Sequence, residues 1–551
     1  MSERDGASAV WTDERAQARQ RRAREEGRRR VAEERSEPSS TVSVSSPGAS
    51  HSLTASVRGV LRRAVRVFAD EPDIAGELRA QLDRLDEPLR VAIAGKVKAG
   101  KSTLLNGLVG ELIAPTDAGE CTKVVTWYRD APSPRVVSYP DLGEPRPLPI
   151  RRENGALAVE LRGVPAEKLR KLVVDWPSQN LRGTTLIDTP GIASASAHNS
   201  RRTLAMLTPD DDSPAEADAV IYLMRHLHAA DAEFLESFRD QGVARASSVN
   251  TIAVISRADE VGGGRIDAML SARRIARRYR TEPALRGLCQ TVIPVAGLLA
   301  ATGRTLRQAE FQTLAALAAA PREDMDDILL STQRFLRSDR VAALADVSYE
   351  RRKDLLERFG IFGLRLAMMY VRQGRDSSPS LAAELVRASG LHELQDVLSV
   401  QFSQRRDLLK ARSGLIALER VLAARSPAAD ESEVKQLAAE VERIGSGAHE
   451  FVELRLLSSL RSGEVVLPEE EAETAERLLG GQGVAAVQRL ALSRTASDDE
   501  VRSAALHELD RWRRRAEDPF ADRPAVRTYR AVTRTCEGLV ASLSTPAPSE
   551  V

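Results

Sequence analysis

A glycine- and lysine-containing segment at residues 95–102 constrains the fold more than any other feature. Its sequence, Gly-Lys-Val-Lys-Ala-Gly-Lys-Ser, follows the apolar run 89–94 and precedes a helical pattern that begins at 103–106. A buried strand, a turn with glycines at its first and sixth positions, and a helix form the setting of a phosphate-binding loop. The segment therefore predicts an α/β domain in which this turn joins a parallel strand to a helix N-terminus.

Each residue type in this phosphate loop has a chemical reason. Glycines let the backbone amides face phosphate oxygens at the positive end of the following helix. Lys101 is expected to reach the β- and γ-phosphates, and the Ser102 hydroxyl to ligate Mg²⁺. We predict that nucleotide-binding residues in this part of the chain are Gly95, Lys96, Val97, Lys98, Ala99, Gly100, Lys101, Ser102 and Thr103.

The rest of the chain divides by pattern. Residues 89–300 alternate apolar strands with helical segments, which predicts a mostly parallel, doubly wound sheet. Predicted core strands lie at 91–94, 185–187, 219–223, 251–255 and 291–294. Beyond residue 300 the strand pattern disappears, and long helical segments such as 391–424 and 431–460 predict a large all-α bundle or stalk.

The N-terminal segment 1–50 combines Arg, acidic, Ser and Pro residues with few apolar ones, which predicts a disordered tail. Its Arg-rich part is a candidate for contact with anionic lipid or nucleic acid. Because acidic residues offset much of that charge, a solvated tail is favoured, and nucleic acid is not an expected partner. Apolar residues spaced three and four apart from Leu53 onward predict helices over 51–88. Cys121, Cys289 and Cys536 lack metal-ligand spacing, which fits a reducing compartment.

Two further elements complete a predicted phosphate and metal site. Leu-Ile-Asp-Thr-Pro-Gly at 186–191 ends another apolar strand. Asp188 is expected to hold Mg²⁺ through water, and the Gly191 amide to meet a γ-phosphate, since no side chain blocks the approach. The intervening segment 114–122 has the composition of a flexible switch loop, in which Thr122 is the best second hydroxyl ligand. The predicted metal set is therefore Ser102, Thr122 and Asp188.

A third strand end, 254–259, predicts the base that is bound. Asp259 is expected to accept hydrogen bonds from N1 and the exocyclic amino group of guanine, a donor pair that adenine lacks. Arg257 stands where lysine is usual and is expected to cover the purine face, while Ser256 replaces Asn or Thr. After the next strand, Ala296 and Gly297 would back the base. The predicted ligands are GTP or GDP with Mg²⁺; the alternative for 254–259 is a solvent-exposed strand end.

These motifs resemble those of the dynamin superfamily, specifically bacterial dynamin-like proteins. Segments 98–106, 115–122 and 188–191 carry the resemblance, and 256–260 and 294–300 resemble the actinobacterial branch that includes isoniazid-inducible and sporulation-associated members. Within the helical half the resemblance rests on layout and on the segment 359–365. It implies a tail over 1–50, N-terminal helices over 51–88 packing with the neck and trunk, a GTPase domain over 89–300, and a helical neck and trunk over 301–551.

The resemblance also implies an activity and partners. It implies GTP hydrolysis, nucleotide-dependent dimerisation of GTPase heads, and remodelling of a membrane. Candidate partners are a second head, an anionic membrane surface and a paralogous dynamin-like protein, with the protein in the cytoplasm and peripheral to the cell membrane. Two alternatives remain: a regulatory switch GTPase whose helical half binds a protein or RNA, and a scaffold that binds GTP but barely hydrolyses it.

The phosphate loop departs from the dynamin pattern at two positions. Eukaryotic dynamins have Gln-Ser where this chain has Val97 and Lys98. We hypothesise that Lys98 supplies positive charge near the transition state, with an ordinary surface lysine as the alternative. The resemblance and the motifs together give the candidate catalytic residues Lys98, Lys101, Thr122 and Gly191.

Membrane contact has weaker sequence support. No apolar run is long enough for a membrane span. Helix breaks near 445–447 and 463–468 are candidates for membrane-facing tips or for ordinary turns. The arginine pairs 273–274, 277–278 and 405–406 could contact anionic headgroups or belong to solvated helix faces.

Overall fold

The computed structural model describes residues 47–115, 124–191, 216–235, 250–424 and 431–542, apart from 154, 162–164, 229–230, 233–234, 283, 286–287, 339–343 and 345–346. Most of the predicted tail lies outside these residues, as do residues 116–122 of the predicted switch loop, including Thr122. The first helix begins at Pro47, so the last residues of the segment predicted to be disordered, 47–50, are helical. Proline suits a helix start because the first amides have no intrahelical acceptor to lose.

Helices and strands follow one another as predicted for a doubly wound domain with a helical continuation. The first part contains α1 (Pro47–Val67), α2 (Pro72–Arg84), β1 (Leu89–Gly95), α3 (Lys101–Val109), β2 (Thr126–Asp130), β3 (Arg135–Pro140), β4 (Arg146–Leu148), β5 (Ile150–Glu153), β6 (Ala156–Val159), β7 (Leu169–Trp176), β8 (Thr184–Asp188), β9 (Ala219–Met224), β10 (Thr251–Ser256), α4 (Ala268–Arg280) and β11 (Val292–Val295). The helical region then contains α5 (Gly297–Arg304), α6 (Gln308–Ala318), α7 (Arg322–Ile328), α8 (Thr332–Arg337), α9 (Tyr349–Arg372), α10 (Ser378–Ala388), α11 (Leu391–Gln401), α12 (Arg406–Ala423), α13 (Glu431–Gly447), α14 (His449–Ser462), α15 (Glu469–Leu478), α16 (Ala486–Arg489), α17 (Asp498–Ala516) and α18 (Arg523–Ser542).

The main sheet has the strand order β11-β10-β9-β1-β8-β2-β7-β3-β4. Strands β11, β10, β9, β1 and β8 are mutually parallel, whereas β2 runs antiparallel to β8, and β3 runs antiparallel to both β7 and β4. The mostly parallel α/β fold is confirmed, with an antiparallel extension built by residues 126–176. The parallel strands are almost continuously buried because helices cover both faces, so they are apolar throughout rather than alternating. Their carboxyl ends lie along one edge of the sheet.

Residues described after β11 form helices without further strands, in agreement with the predicted all-α half. Two predicted long helices are each divided. The segment 391–424 is interrupted at 402–405, and 431–460 is interrupted at Ala448, which has an extended conformation. The break at Ala448 directly follows Gly445 and Gly447, where the sequence predicted a helix break. Residues 402–405 contain neither proline nor glycine, so packing sets that break. Arg405, for example, is buried and donates to the Gly480 carbonyl, so it is not a surface arginine available to a membrane.

The N-terminal helices pack on the helical region. Val57 and Leu61 of α1 are fully buried against α12, where Gly414 leaves room for Leu61. Arg63 on α1 pairs with Glu440 on α13, and Arg420 on α12 pairs with Glu77 on α2. The chain thus returns to its first helices after completing the sheet. None of the described helices is both long enough and apolar enough to cross a membrane.

Candidate functional site

The phosphate loop is the turn between β1 and α3, and its glycines meet backbone constraints. Gly95 has φ 149°, and a Cβ atom there would lie 2.5 Å from the Leu223 carbonyl oxygen on β9. Gly100 has φ 93° and immediately precedes the first helical residue, Lys101. A side chain at Gly95 would collide with the neighbouring strand, and at Gly100 it would adopt a strained backbone. These two residues therefore let the chain turn sharply and present its amides at the helix N-terminus.

Lys101 is buried within this turn. Its Nζ donates to the carbonyl oxygens of Gly95 and Lys96, each at 3.3 Å. Burial lowers the pKa of Lys101, and the nearby Asp188 carboxylate partly opposes that shift. Among the described residues, the hydrogen-bond acceptors of the ammonium group are neutral carbonyl oxygens, so an anionic phosphate would be a better partner.

Ser102 and Asp188 meet beside Lys101. The Ser102 hydroxyl donates to Asp188 Oδ2 at 2.6 Å, because parallel pairing of β1 with β8 sets Asp188 opposite Ile93, two residues before the loop. Burial raises the pKa of Asp188, while Lys101 and Ser102 act in the opposite direction. Asp188 Oδ1 is buried and has no hydrogen-bond partner among the described residues. A hydroxyl and a carboxylate with a free oxygen are donors that fit Mg²⁺.

Gly191 lies directly against the phosphate loop. A Cβ atom at this position would be 2.5 Å from Val97 Cγ2 and 2.8 Å from Val97 Cα. The preceding Thr189 hydroxyl donates to the Ile93 carbonyl at 3.0 Å, which holds the segment on β1. Only glycine permits this approach, so the Gly191 amide can reach the loop on which a γ-phosphate would rest.

The side chains of the variable phosphate-loop residues Lys96, Val97 and Lys98 have different surroundings. Lys96 Nζ lies 3.0 Å from Asp231 Oδ1, and this buried carboxylate also accepts from the Tyr222 hydroxyl at 2.7 Å. The Lys96 side chain is therefore engaged with Asp231, although its backbone stays in the loop. Lys98 is exposed, has φ 62°, and has no hydrogen bond or ion pair to any residue the structure describes. Val97 is 47% exposed.

A cavity of about 140 Å³ adjoins the loop where β10 and β11 end. The loop and α3 contribute Ala99, Gly100, Thr103 and Leu104 to its walls. The opposite walls come from Leu223, Val254, Ser256, Arg257, Asp259, Glu260, Val295, Gly297 and Leu298. Apolar walls with one carboxylate-bearing rim are suited to a flat heterocycle that carries hydrogen-bond donors on one edge.

The polar rim is built by the residues after β10. Asp259 is half-buried, and burial raises its pKa with a smaller contribution from Glu260, while its own backbone amide and Arg257 oppose the shift. Arg257 has a left-handed backbone (φ 52°) and donates to Glu260 Oε1 at 2.7 Å. The Ser256 hydroxyl donates to the Met224 carbonyl at 3.3 Å. Ser256 thus ties β10 to β9, and Asp259 lies on the cavity wall, where a carboxylate could accept from N–H donors of a ligand.

Comparison with known proteins agrees with this geometry. A family model described as 50S ribosome-binding GTPase matches residues 90–255. Isoniazid-induced protein IniC of Mycobacterium tuberculosis is 42% identical over 494 residues, which cover 89% of this chain and 98% of that protein. The chain belongs to this family, the isoniazid-induced branch of the bacterial dynamin-like proteins.

Other relatives match a smaller part of this chain or match it at lower sequence identity. A bacterial dynamin-like protein of Nostoc punctiforme is 31% identical over 122 residues, 20% of this chain and 18% of that protein. A solved structure of an oligomerised bacterial dynamin pair aligns with 89% of this chain and 79% of its own at 12% identity, with a TM-score of 0.29. The family membership and the matched GTPase model make the chain a GTPase that binds guanine nucleotides.

Within this family member, the predicted residues are mostly brought together. The cavity and loop unite Asp188, Gly191, Ser256, Arg257, Asp259 and Gly297 with residues 95–103. Ala296 differs, since it is absent from the cavity wall and its amide donates to the Ser389 carbonyl at 2.9 Å. Glu260 and Leu298 line the cavity although neither was predicted to bind nucleotide. Both lie in the segments 256–260 and 294–300 that carry the family resemblance, which was the signal that could have indicated them.

Proposed function

We propose that the protein hydrolyses GTP with Mg²⁺ at this site and couples nucleotide-dependent self-association to binding and remodelling of a membrane. The observation that carries the catalytic part is the meeting of Lys101, Ser102 and Asp188 beside the cavity that Asp259 lines. All three side chains come from the carboxyl edge of the sheet or the helix start that follows it, where nucleotides bind in doubly wound folds.

The proposed roles follow from position and charge. Lys101 neutralises the β- and γ-phosphates, and Ser102 and Asp188 hold the metal ion, with Thr122 as the second hydroxyl ligand. When bound, Mg²⁺ offsets charge on the β- and γ-oxygens. The Gly191 amide contacts the γ-phosphate, and Lys98 places a cation at the exposed side of the loop. Catalysis would then rest on positioning and electrostatics, since phosphoryl transfer needs little covalent chemistry from the protein.

The exposed rim of the phosphate loop supports self-association through the GTPase heads. Val97 and Lys98 point away from the described core, next to the site that the nucleotide would fill. A second head, from the same chain or a paralogue, would cover this rim and exclude water from the phosphates. Exclusion of water strengthens each electrostatic interaction with the transition state.

Two exposed apolar side chains support a membrane-facing end in the helical region. Val466 lies between α14 and α15 and is 78% exposed, while Phe520 lies between α17 and α18 and is 95% exposed. Ion pairs of Arg511 with Glu470 and of Arg515 with Glu471 place the start of α15 beside the end of α17. The two loops therefore lie at the same end of the helical cluster, and together they offer apolar groups that could enter a lipid interface.

The test measures GTP turnover and lipid binding with the full chain. Turnover per molecule should rise with protein concentration and with added anionic liposomes, and the protein should co-sediment with those liposomes. Replacing both loop residues, Val466→Asp with Phe520→Asp, should abolish co-sedimentation. Leu142→Asp is the matched control, since Leu142 is 92% exposed after β3, and it should leave co-sedimentation unchanged.

Other outcomes point to the alternatives. GTP turnover that does not depend on protein concentration or lipid, but rises when a separate protein or RNA is added, would favour the regulatory switch GTPase. Tight GTP binding with negligible turnover in every condition would favour the scaffold. Co-sedimentation that survives the double substitution would remove Val466 and Phe520 from the membrane contact.

A further inference from the structure

The segment 359–365, Phe-Gly-Ile-Phe-Gly-Leu-Arg, forms a break inside α9. Gly360 has φ 62° and ψ 174°, outside helical values, so the helix changes direction there. Gly363 lies close to α5, where an added Cβ would be 3.3 Å from Leu299 Cδ1. These two glycines let the second part of α9 approach α5, the helix whose first residues line the base cavity.

The loop that carries Asp259 ends against this same part of α9. We define the recognition loop as residues 257–264. Its last three residues, Gly262, Gly263 and Gly264, all have positive φ, between 66° and 76°. Gly264 is buried, and a Cβ there would lie 3.6 Å from the Asp259 carbonyl oxygen and 3.9 Å from Phe362 Cβ. The loop therefore folds back so that its end lies near the Asp259 carbonyl and Phe362.

One arginine of α9 holds that end. Arg365 Nη1 donates to the Gly264 carbonyl and Nη2 to the Leu329 carbonyl, each at 2.7 Å. Ala258 at the base of the recognition loop is fully buried in the hydrophobic cluster that also contains Phe359 and Phe362. The described residues thus support the recognition loop at two points. At its start the Ser256 hydroxyl, at the end of β10, donates to Met224 of β9, and at its end Arg365 of α9 donates to Gly264.

We propose that Arg365 is a positioning residue for guanine recognition. It fixes the Gly264 carbonyl, and the Gly264 backbone in turn fixes the Asp259 backbone beneath the carboxylate. Hydrogen bonds to the guanine edge depend steeply on angle, so release of Gly264 weakens base contacts while phosphate contacts at residues 95–102 persist. The proposal rests on the proposed base site at Asp259, and it makes the helical region part of the support for that site.

The test compares GDP with inosine diphosphate, which lacks the exocyclic amino group of guanine. Arg365→Ala should weaken GDP binding about tenfold and reduce the preference for GDP over inosine diphosphate, because the lost contact is a hydrogen bond to a charged group. Arg365→Lys, which keeps the charge but not the paired donors, should restore only part of the preference. A purely structural role would lower thermal stability without moving this ratio.

Arg372→Ala is the matched control. Arg372 lies on the same helix and also donates to two carbonyls, of Ala318 and Ala320, each at 2.9 Å, away from the recognition loop. Its replacement should leave the nucleotide preference unchanged. If Arg365→Ala does not fold, Gly264→Ala perturbs the same contact from the loop side, and its strained φ of 71° should reduce the preference.

Asp259→Ala distinguishes a failure of the proposed base site from a failure of the proposed role of Arg365. If it retains the wild-type preference for GDP, the base site itself is misassigned. If it loses the preference while Arg365→Ala and Gly264→Ala both keep it, the base site stands and the role of Arg365 is overturned.

Discussion

The ammonium group of Lys410 lies 3.4 Å from Asp218 Oδ2, and both side chains are almost completely buried. Asp218 directly precedes β9, and Lys410 is on α12. The same carboxylate accepts from Arg84 of α2 at 2.9 Å and from the Arg90 amide at the start of β1 at 2.9 Å. One carboxylate therefore joins the N-terminal helices, the sheet and the helical region at the strand edge opposite the phosphate loop.

Removal of this carboxylate should destabilise the whole fold. Asp218→Ala leaves Arg84 and Lys410 buried without their anion, and we expect the free energy of unfolding to fall by about 3–5 kcal/mol. Chemical denaturation of the full chain measures this. Asp510→Ala, which removes an exposed pair with Arg514, should cost less than about 1 kcal/mol. Equal effects of the two substitutions would show that the buried cluster contributes no more than a surface pair.

The same cluster should give a stability change in acid. Burial alone would raise the pKa of Asp218, but Arg84 and Lys410 outweigh it and hold the pKa below its ordinary value of 3.8. A carboxyl with a lowered folded pKa contributes stability that is fully present above its unfolded value and is lost as pH falls through the folded one. The stability difference between wild type and Asp218→Asn should therefore shrink below pH 3.8. A difference that stays constant there would mean that folding does not lower the pKa of Asp218.

Replacement of Lys98 tests its proposed role in catalysis at an exposed position, where the fold should not change. Lys98→Gln removes the charge and retains the positive φ at that residue, so we expect kcat to fall about tenfold or more with GDP affinity unchanged. Lys101→Ala should abolish turnover, and Lys353→Gln, an exposed lysine on α9, should leave it unchanged. Wild-type turnover in Lys98→Gln would make Lys98 an ordinary surface residue.

Replacement by alanine is expected to have opposite effects at Gly191 and Gly76. Gly191→Ala places a methyl group 2.5 Å from Val97 Cγ2 and 2.8 Å from its Cα, so the phosphate loop or the 189–191 segment must move. We expect kcat for GTP to fall at least tenfold. Gly76→Ala on α2 has no atom within 4 Å of the new methyl group and should raise stability by about 0.5–1 kcal/mol with normal turnover. Normal turnover in Gly191→Ala would argue against close contact between this glycine and the loop during catalysis.

Much of the site was accessible from sequence because its signals are local. A strand, a glycine turn and a helix start within residues 89–106 specify the phosphate loop. Asp188 ends an apolar strand, and Asp259 lies three residues beyond the end of another. Parallel strands bring their carboxyl ends to one edge, so these segments meet whatever the remaining packing is. Thr122 lies outside the described residues and remains a prediction, as do the predicted domain limits.

The partners of individual side chains, and the contacts between residues distant in sequence, depended on tertiary structure. Lys96 belongs to the phosphate-loop pattern, yet its side chain pairs with Asp231, and Arg405 looked like a surface arginine but is buried against Gly480. The break at 402–405 contains neither proline nor glycine. In each case the partner is distant in sequence, and a contact between distant residues leaves no periodic pattern in either segment. The sequence by itself determined the nucleotide chemistry of this protein. Only the tertiary structure decided that Arg365 ties the helical region to the recognition loop and that Asp218 ties it to the sheet, because these contacts join residues distant in sequence.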